Sequence, residues 1–463
     1  MSLRTRRKTA AAQAVCLIAI AGLLLLAPVA ARAGDPYSAY YHCSGSRLFW
    51  FMVISDIHVG ASGSQDTEYL SWAVGPARQV INPAFIVTTG DLTDSTNGGF
   101  IPNGPYTAEW QSYRNLLTTA GIDASFYYDI PGNHDHYNDE TFAYYRTYSI
   151  QGAAAGATQH SWIRSFPFGT YHFIGVSTPG NDGASFSIWP WNNYGDSAGL
   201  DAGELAFIQT QLNAHPEAEL TLIFGHHPFQ AGYYVSSDTG LTYGLSSLLN
   251  LIDGYGVSMY GFGHTHNYRE NVYYNNLPDG VFYLNVSSLG KEASNHFAVM
   301  AVDGSGLSVR PGNKGVWPVV LITAPVDRNL GATPQPFAYE IPRGRANPVR
   351  TLVFDPGAVS TVEFRVDGAG WQAMQPVAGG PLWQGFWDAS AAAAGVHTIE
   401  VRASGSTTRT DQVTTSVNPA LCFSDADRDG DVDGSDLAAL AADFVPETVA
   451  DTAGYFGRTN CAN

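Results

Sequence analysis

Positive charge is scarce in this sequence. Its 463 residues hold 23 lysines and arginines against 41 aspartates and glutamates, a formal net charge of −18. That balance excludes a nucleic-acid-binding patch or an anionic membrane surface as the expected partner, and it favours solubility and cation binding. Charge of either sign is sparse as well, at 14%, where a globular chain usually has about a quarter. Only four cysteines are present, so no dense disulfide framework supports the fold. Beyond the first 33 residues no apolar run is long enough for a membrane helix, and no repeat of the solenoid kind is visible.

Glycine and aromatic residues are plentiful, with 49 glycines and 13% aromatics. That composition suits an extracellular β-rich protein. The N-terminus carries a basic stretch, an apolar core and then Ala31-Arg32-Ala33, a small-x-small cleavage site. A signal peptide over 1–33 is therefore expected, with the mature chain starting near Gly34 and exported. The pair Arg6-Arg7 lacks the apolar residues that follow it in twin-arginine signals, which favours a Sec-type signal and a secreted, periplasmic or cell-surface protein. Export permits disulfides. Cys16 leaves with the signal, Cys422 and Cys461 bracket one C-terminal segment and form the expected pair, and Cys43 is left free or cross-linked elsewhere.

A chain of this length exceeds one core of typical size. From about residue 48 to 302, short apolar runs such as LFWFMVI, AFIVTT, SFYYDI, LTLIFG and VSMYGF alternate with mixed segments. LDAGELAFIQTQLNA has an N-terminal Asp201 and apolar positions at helical spacing. Alternating strands and helices imply a layered α/β domain over 44–312. Beyond it, PVVLITAP, RTLVFD, STVEFRVD, LWQGFW and VHTIEVRAS are strand-like and separated by turn residues, which predicts an immunoglobulin-like β-sandwich over 313–418. Residues 419–463 form a third unit.

Five strand-like runs end in residues able to bind metals. Asp56 and His58 follow the first, Asp91 and Asp94 the second, and Asn133, His134 and Asp135 the third. His226 and His227 follow LTLIFG, and His264 and His266 follow VSMYGF. In an open α/β sheet, ligands bind outside the carboxyl ends of the strands, so these residues can converge. Carboxylate, imidazole and amide oxygen suit borderline divalent ions such as Zn, Fe or Mn, and one aspartate can bridge a pair. A lone histidine after a strand is more often simply packed there, and His42, His136, His160, His172, His215, His227, His296 and His397 are left at that reading.

The ordered set Asp-x-His, Gly-Asp-x-x-Asp, Gly-Asn-His-Asp, Gly-His and Gly-His-x-His resembles the calcineurin-like metallophosphoesterase family over about residues 50–300. The resemblance implies a four-layer α/β/β/α sandwich and two divalent metal ions. Asp56, His58 and His266 would bind the first ion, Asn133, His226 and His264 the second, and Asp91 would bridge them. His226 is preferred to His227 because the family's ligand directly follows the glycine. The implied activity is hydrolysis of phosphate mono- or diesters by a metal-bound hydroxide. His134 would protonate the leaving oxygen or stabilise phosphoryl charge, and Asp94 would orient His134. Ser95 stands where the protein-phosphatase branch has arginine, and GDLTD lacks the tyrosine ligand of purple acid phosphatases. A catalytic domain followed by a β-sandwich is similar to the arrangement of the transmembrane protein 62 family. The rival expectation is a surface adhesion or binding protein that keeps this fold without turnover.

In the tail, DADRDGDVDGSD places Asp425, Asp427, Asp429, Asp431, Asp433 and Asp436 at positions 1, 3, 5, 7, 9 and 12 of a calcium loop, with Gly430 at position 6. Position 12 is Asp where Glu is usual. Asp425, Asp427, Asp429, Asp431 and Asp436 are the expected calcium ligands. The segment resembles half of a dockerin module, which implies a cohesin-like or other cell-surface partner.

Overall fold

The structure, a computed structural model, describes residues 47–463 except 64, 100–102, 181–197, 231–239, 292–294, 378, 423, 427–428, 443–448, 460 and 462–463. The expected signal peptide, Cys43 and Asp427 lie outside the described residues.

Two mixed sheets make the first part of the chain. One runs in the order Gly306–Gly312, Phe297–Asp303, Leu48–Ile54, Ile86–Thr88, Tyr127–Asp129, the last three parallel to one another. The other runs Arg269–Tyr273, Val281–Asn285, Met259–Phe262, Leu220–Phe224, Gly169–Gly175, His160–Phe166, with four parallel strands inside antiparallel edges.

Alternation along the strands explains why the sheets stack. In Leu48–Ile54, Phe51 and Val53 point into a core shared with Phe85, Val87, Phe173 and Phe224, whereas Met52 and Ile54 point the other way. That outer face packs against Leu70, Val74, Trp110, Tyr113 and Leu117, from helices on the 66–119 segment. The second sheet turns Ile174, Ile223 and Tyr283 outward, onto Ile208 and Leu212 of helix Ala202–Ala214 and Leu248 and Ile252 of helix Leu245–Tyr255. Each such side chain taken out of water contributes about 1.5–3 kcal/mol. The resulting order is helix, sheet, sheet, helix. Helix Ala202–Ala214 starts where its sequence predicts, because Asp201 and Glu204 form a reciprocal capping box.

The C-terminal β-rich region has a four-stranded sheet, Val319–Ala324, Asn347–Phe354, Leu382–Trp387 and Gln375–Pro376. A five-stranded sheet faces it, in the order Glu340–Ile341, Thr408–Val417, Gly395–Ser404, Thr361–Val366, Gln372–Ala373. Val320, Ile322, Val349 and Val353 fill the space between these two sheets. The alternate residues Val319, Leu321, Leu352 and Phe354 join the outer core of the first mixed sheet instead. One sheet of the β-sandwich is thus buried on both faces. At that junction Arg350, fully buried, meets Asp303 at 2.8 Å, and Thr323 donates to the same carboxylate.

In the tail Cys422 and Cys461 are joined, as their placement suggests. Helix Gly434–Ala442 follows the acidic loop, and a second helix, Val449–Tyr455, follows it where the sequence reading has none. Leu437, on the first of these helices, is half exposed.

Candidate metal centre

The strand ends of both sheets meet at one place. Leu48–Ile54, Ile86–Thr88 and Tyr127–Asp129 deliver Asp56, His58, Asp91, Asn133 and His134 from one sheet. Leu220–Phe224 and Met259–Phe262 deliver His226, His264 and His266 from the other. Close approach of these turns requires glycine at two points: a Cβ on Gly132 would lie 2.2 Å from Asp91 Oδ1, and one on Gly263 would lie 2.3 Å from Asp56 Oδ2. Asp56, His58, Asp91, His264 and His266 all adopt positive φ, between 48° and 67°. Non-glycine residues avoid that region, and strain of this kind collects at functional sites. Five of the seven expected ligands carry it.

The donor atoms form two groups. In the first, His58 Nε2 and His266 Nε2 face each other at 3.0 Å, with Asp91 Oδ2 3.5 Å from His58 and Asp56 Oδ1 3.5 Å from His266. In the second, Asn133 Oδ1 lies 2.8 Å from His226 Nε2 and 3.0 Å from His264 Nδ1, and Asp91 Oδ1 is 3.5 Å from His226 Nε2. Asp91 therefore turns one oxygen to each group. Nitrogen and oxygen donors crowded this closely, with carboxylates almost wholly buried, fit a cation in each group.

Neighbours fix which atom each ligand presents. His226 Nδ1 donates to Thr89 O at 2.7 Å, leaving Nε2 for the centre. The Asn133 amide donates to the Tyr137 hydroxyl at 2.8 Å, leaving its oxygen inward. Asp135 accepts the N–H groups of Gly132, Leu92 and Thr93 at 2.9–3.1 Å and so ties the second strand end to the third. Glu109 accepts from Ser95 N at 2.8 Å and Asn97 N at 2.6 Å, holding the turn beyond Asp94.

The charges are mutually compensating. Burial pushes the Asp91 carboxyl up, but His226 and His134 outweigh it and hold Asp91 well below the usual carboxylate range. Burial pulls His226 down, yet Asp91 and Asp56 raise it to about 9. His58 is lowered to about 3 by burial and by Lys291 and His134. Glu109 is pushed up to about 7, mainly by burial, against the two N–H groups it accepts.

Asp94, expected to orient His134, meets it through the main chain: His134 Nδ1 donates to the Asp94 main-chain oxygen at 2.7 Å, and the carboxylate is 3.7 Å away. That carboxylate lies 2.9 Å from His58 Nδ1 and 2.6 Å from Lys291 Nζ. It thus braces His58, because the strand end turns its side chain toward the first group.

One residue escaped the sequence reading, Lys291, and one left there as simply packed, His227, lies against the site. His227, fully buried, bonds the Thr178 hydroxyl through Nδ1 at 2.8 Å and packs on the His264 ring. Its only signal was its place beside His226. Lys291 had none, since its approach depends on a loop far along the chain.

Stacked sheets with a twofold donor cluster at their strand ends define a metallophosphoesterase-type centre. Residues 49–268 match the model of the calcineurin-like phosphoesterase family, and the chain carries a domain of that family. Among relatives, it is 27% identical over 368 residues to Transmembrane protein 62 of Mus musculus, a match covering 77% of this chain and 53% of that protein. It is 25% identical over 273 residues to an Arabidopsis thaliana protein named as a metallophosphoesterase, covering 55% of this chain and 35% of that one. The chain thus spans about half or less of the length of these relatives. Among solved structures, a dimetal phosphatase from Danio rerio aligns with 57% of this chain and 95% of its own, at 13% identity and a TM-score of 0.44. Among the described residues no helix is long and apolar enough to cross a membrane.

Proposed function

We propose that this chain is an exported hydrolase of phosphate mono- or diesters. Asp56, His58, Asp91 and His266 would hold one divalent cation, and Asp91, Asn133, His226 and His264 a second. The observation that carries this reading is the Asp91 carboxylate, one oxygen in each donor group. Two such cations, when bound, lower the pKa of water and neutralise charge on phosphoryl oxygens. The ligand set accepts Mn, Fe or Zn.

The protein's own groups do the rest. His134, fixed through Nδ1 on the Asp94 main chain, has Nε2 available to move a proton to the leaving oxygen or to steady phosphoryl charge. The Asp94 carboxylate holds His58 in its ligand orientation. Burial of Asp56, Asp91 and His226 keeps water from competing for the donor atoms. Export rests on the signal-like N-terminus.

In the tail, Asp425, Asp429, Asp431 and Asp436, with Asp427 beyond the described residues, would bind calcium. Supporting this, Asp431, Asp433 and Asp436 bring ligand oxygens within 4.8 Å of one another, and Gly430 holds φ 98° at the loop's sixth position. Calcium should raise the unfolding temperature of the tail, and Asp429→Ala should remove the shift; an identical transition with calcium and with chelator contradicts it. A cell-surface or cohesin-like partner for the tail rests on the dockerin-like sequence alone, and a pull-down with an immobilised cohesin tests it, no retention counting against it.

The enzyme reading is tested by hydrolysis of an aryl phosphate monoester and diester with Mn²⁺, after chelation, and after metal is restored. Activity should vanish and return. A protein that binds two ions yet hydrolyses neither ester is a binding protein on this fold.

A further inference from the structure

Scarce positive charge makes any cation at an acidic centre informative. Lys291 lies beyond strand Val281–Asn285, on a segment bound closely to the first strand end. Leu289 N donates to Ser55 O at 2.8 Å, and Ser288 Oγ donates to Asp56 O at 2.7 Å. Lys291 N donates to Ser288 Oγ at 2.9 Å, and a Cβ on Gly290 would lie 1.9 Å from Ile57 O. These contacts hold the backbone of 288–291 against the first strand end. Its ammonium rests 2.6 Å from Asp94 Oδ1.

Exposure shows which side of the centre is open. The side chains of Asp56, His58, Asp91 and His226 are 0–2% exposed, whereas those of His134, His266 and Lys291 are 15%, 25% and 29% exposed. His134, His266 and Lys291 thus stand on a solvent-reached side of the donor groups. The ammonium carries three donors, and Asp94 accepts from one side only. Burial of Asp94 lets it fix the ammonium while water still reaches the other side.

We propose that Lys291 is a substrate-binding cation of this centre, anchored on Asp94 and donating to a terminal oxygen of the phosphate at the mouth formed with His134 and His266. The proposal rests on the phosphoesterase reading for its substrate class. It makes charge on the phosphoryl group, more than the alcohol portion, the feature that Lys291 recognises.

Inorganic phosphate binding to the Mn²⁺-loaded full chain, followed by titration calorimetry with metal content measured alongside, separates this from a supporting role. Lys291→Met should keep both metals and weaken phosphate on the order of 10- to 100-fold, as loss of a charged hydrogen bond does. KM for an aryl phosphate should rise by a similar factor, and Lys291→Arg should recover most of the affinity. Unchanged phosphate affinity in Lys291→Met, with loss confined to kcat or to metal content, overturns the proposal and leaves Lys291 as a prop for Asp94. A wild type that hydrolyses no ester, but whose phosphate affinity depends on Lys291, defeats the enzyme reading and keeps this one. A wild type that binds no phosphate defeats both.

Discussion

His134, part-exposed, and Glu109, buried, show how differently two groups near one site act. His134 is not among the donors of either group, so His134→Ala should leave both metals bound. The loss should fall on turnover, on the order of 10²–10⁴-fold, the usual worth of a positioned acid or base. A nitrophenyl ester, whose alcohol leaves unaided, should suffer least and an alkyl ester most. Equal loss across leaving groups would assign His134 to the phosphoryl oxygens, and metal depletion would make it a ligand. Glu109 instead carries a pH signature. Its carboxyl is raised from 4.5 to about 7, chiefly by burial, so the folded chain holds this proton more tightly than the unfolded chain. Its contribution to stability is therefore complete below about pH 4.5 and is lost as pH rises through about 7. Glu109→Gln should flatten that part of the curve of unfolding temperature against pH, measured with chelator present. An unchanged slope would place the titration elsewhere.

At the scale of elements, the turns after the strands position the donors. Gly132→Ala would drive a methyl group against Asp91 Oδ1 and Asp91 N, at 2.2 and 2.3 Å. The expected result is a folded protein, by circular dichroism, that has lost most of its metal and activity; full metal content would show that the turn can yield. The strands carrying the ligands were legible because their residues are buried on both faces and read as apolar runs. The candidate donors were legible because they follow those runs directly. Strand pairing was not, since Asp-x-His and Gly-His-x-His look alike whether their strands share a sheet or, as here, lie in two. Thr408–Val417 escaped because its outer residues are polar and break the run, as TRTDQVTTSV shows. The mode of the Asp94 contact was not legible, because spacing cannot say whether a main-chain or side-chain oxygen meets an imidazole. Lys291 reaches the centre only through tertiary packing, which leaves no trace in local sequence.

At the scale of the whole molecule, the β-sandwich is joined to the metallophosphoesterase domain. The two-sided burial of Asn347–Phe354 puts Leu352 and Phe354 in one core and Val349 and Val353 in another. Arg350→Met would leave Asp303 buried with the Thr323 hydroxyl but no countercharge. That should cost about 3–5 kcal/mol in urea unfolding with the metal centre chelated; a change below about 1 kcal/mol would mean that the junction relaxes or hydrates. The two sheets, the glycine turns and the strained ligand residues all serve to bring two donor groups onto one carboxylate. Metal analysis of purified Asp91→Ala beside the wild type tests this most directly. The wild type should hold two equivalents and the variant should lose both together, because each group loses an oxygen and the shared charge; two full equivalents in Asp91→Ala would contradict the bridge.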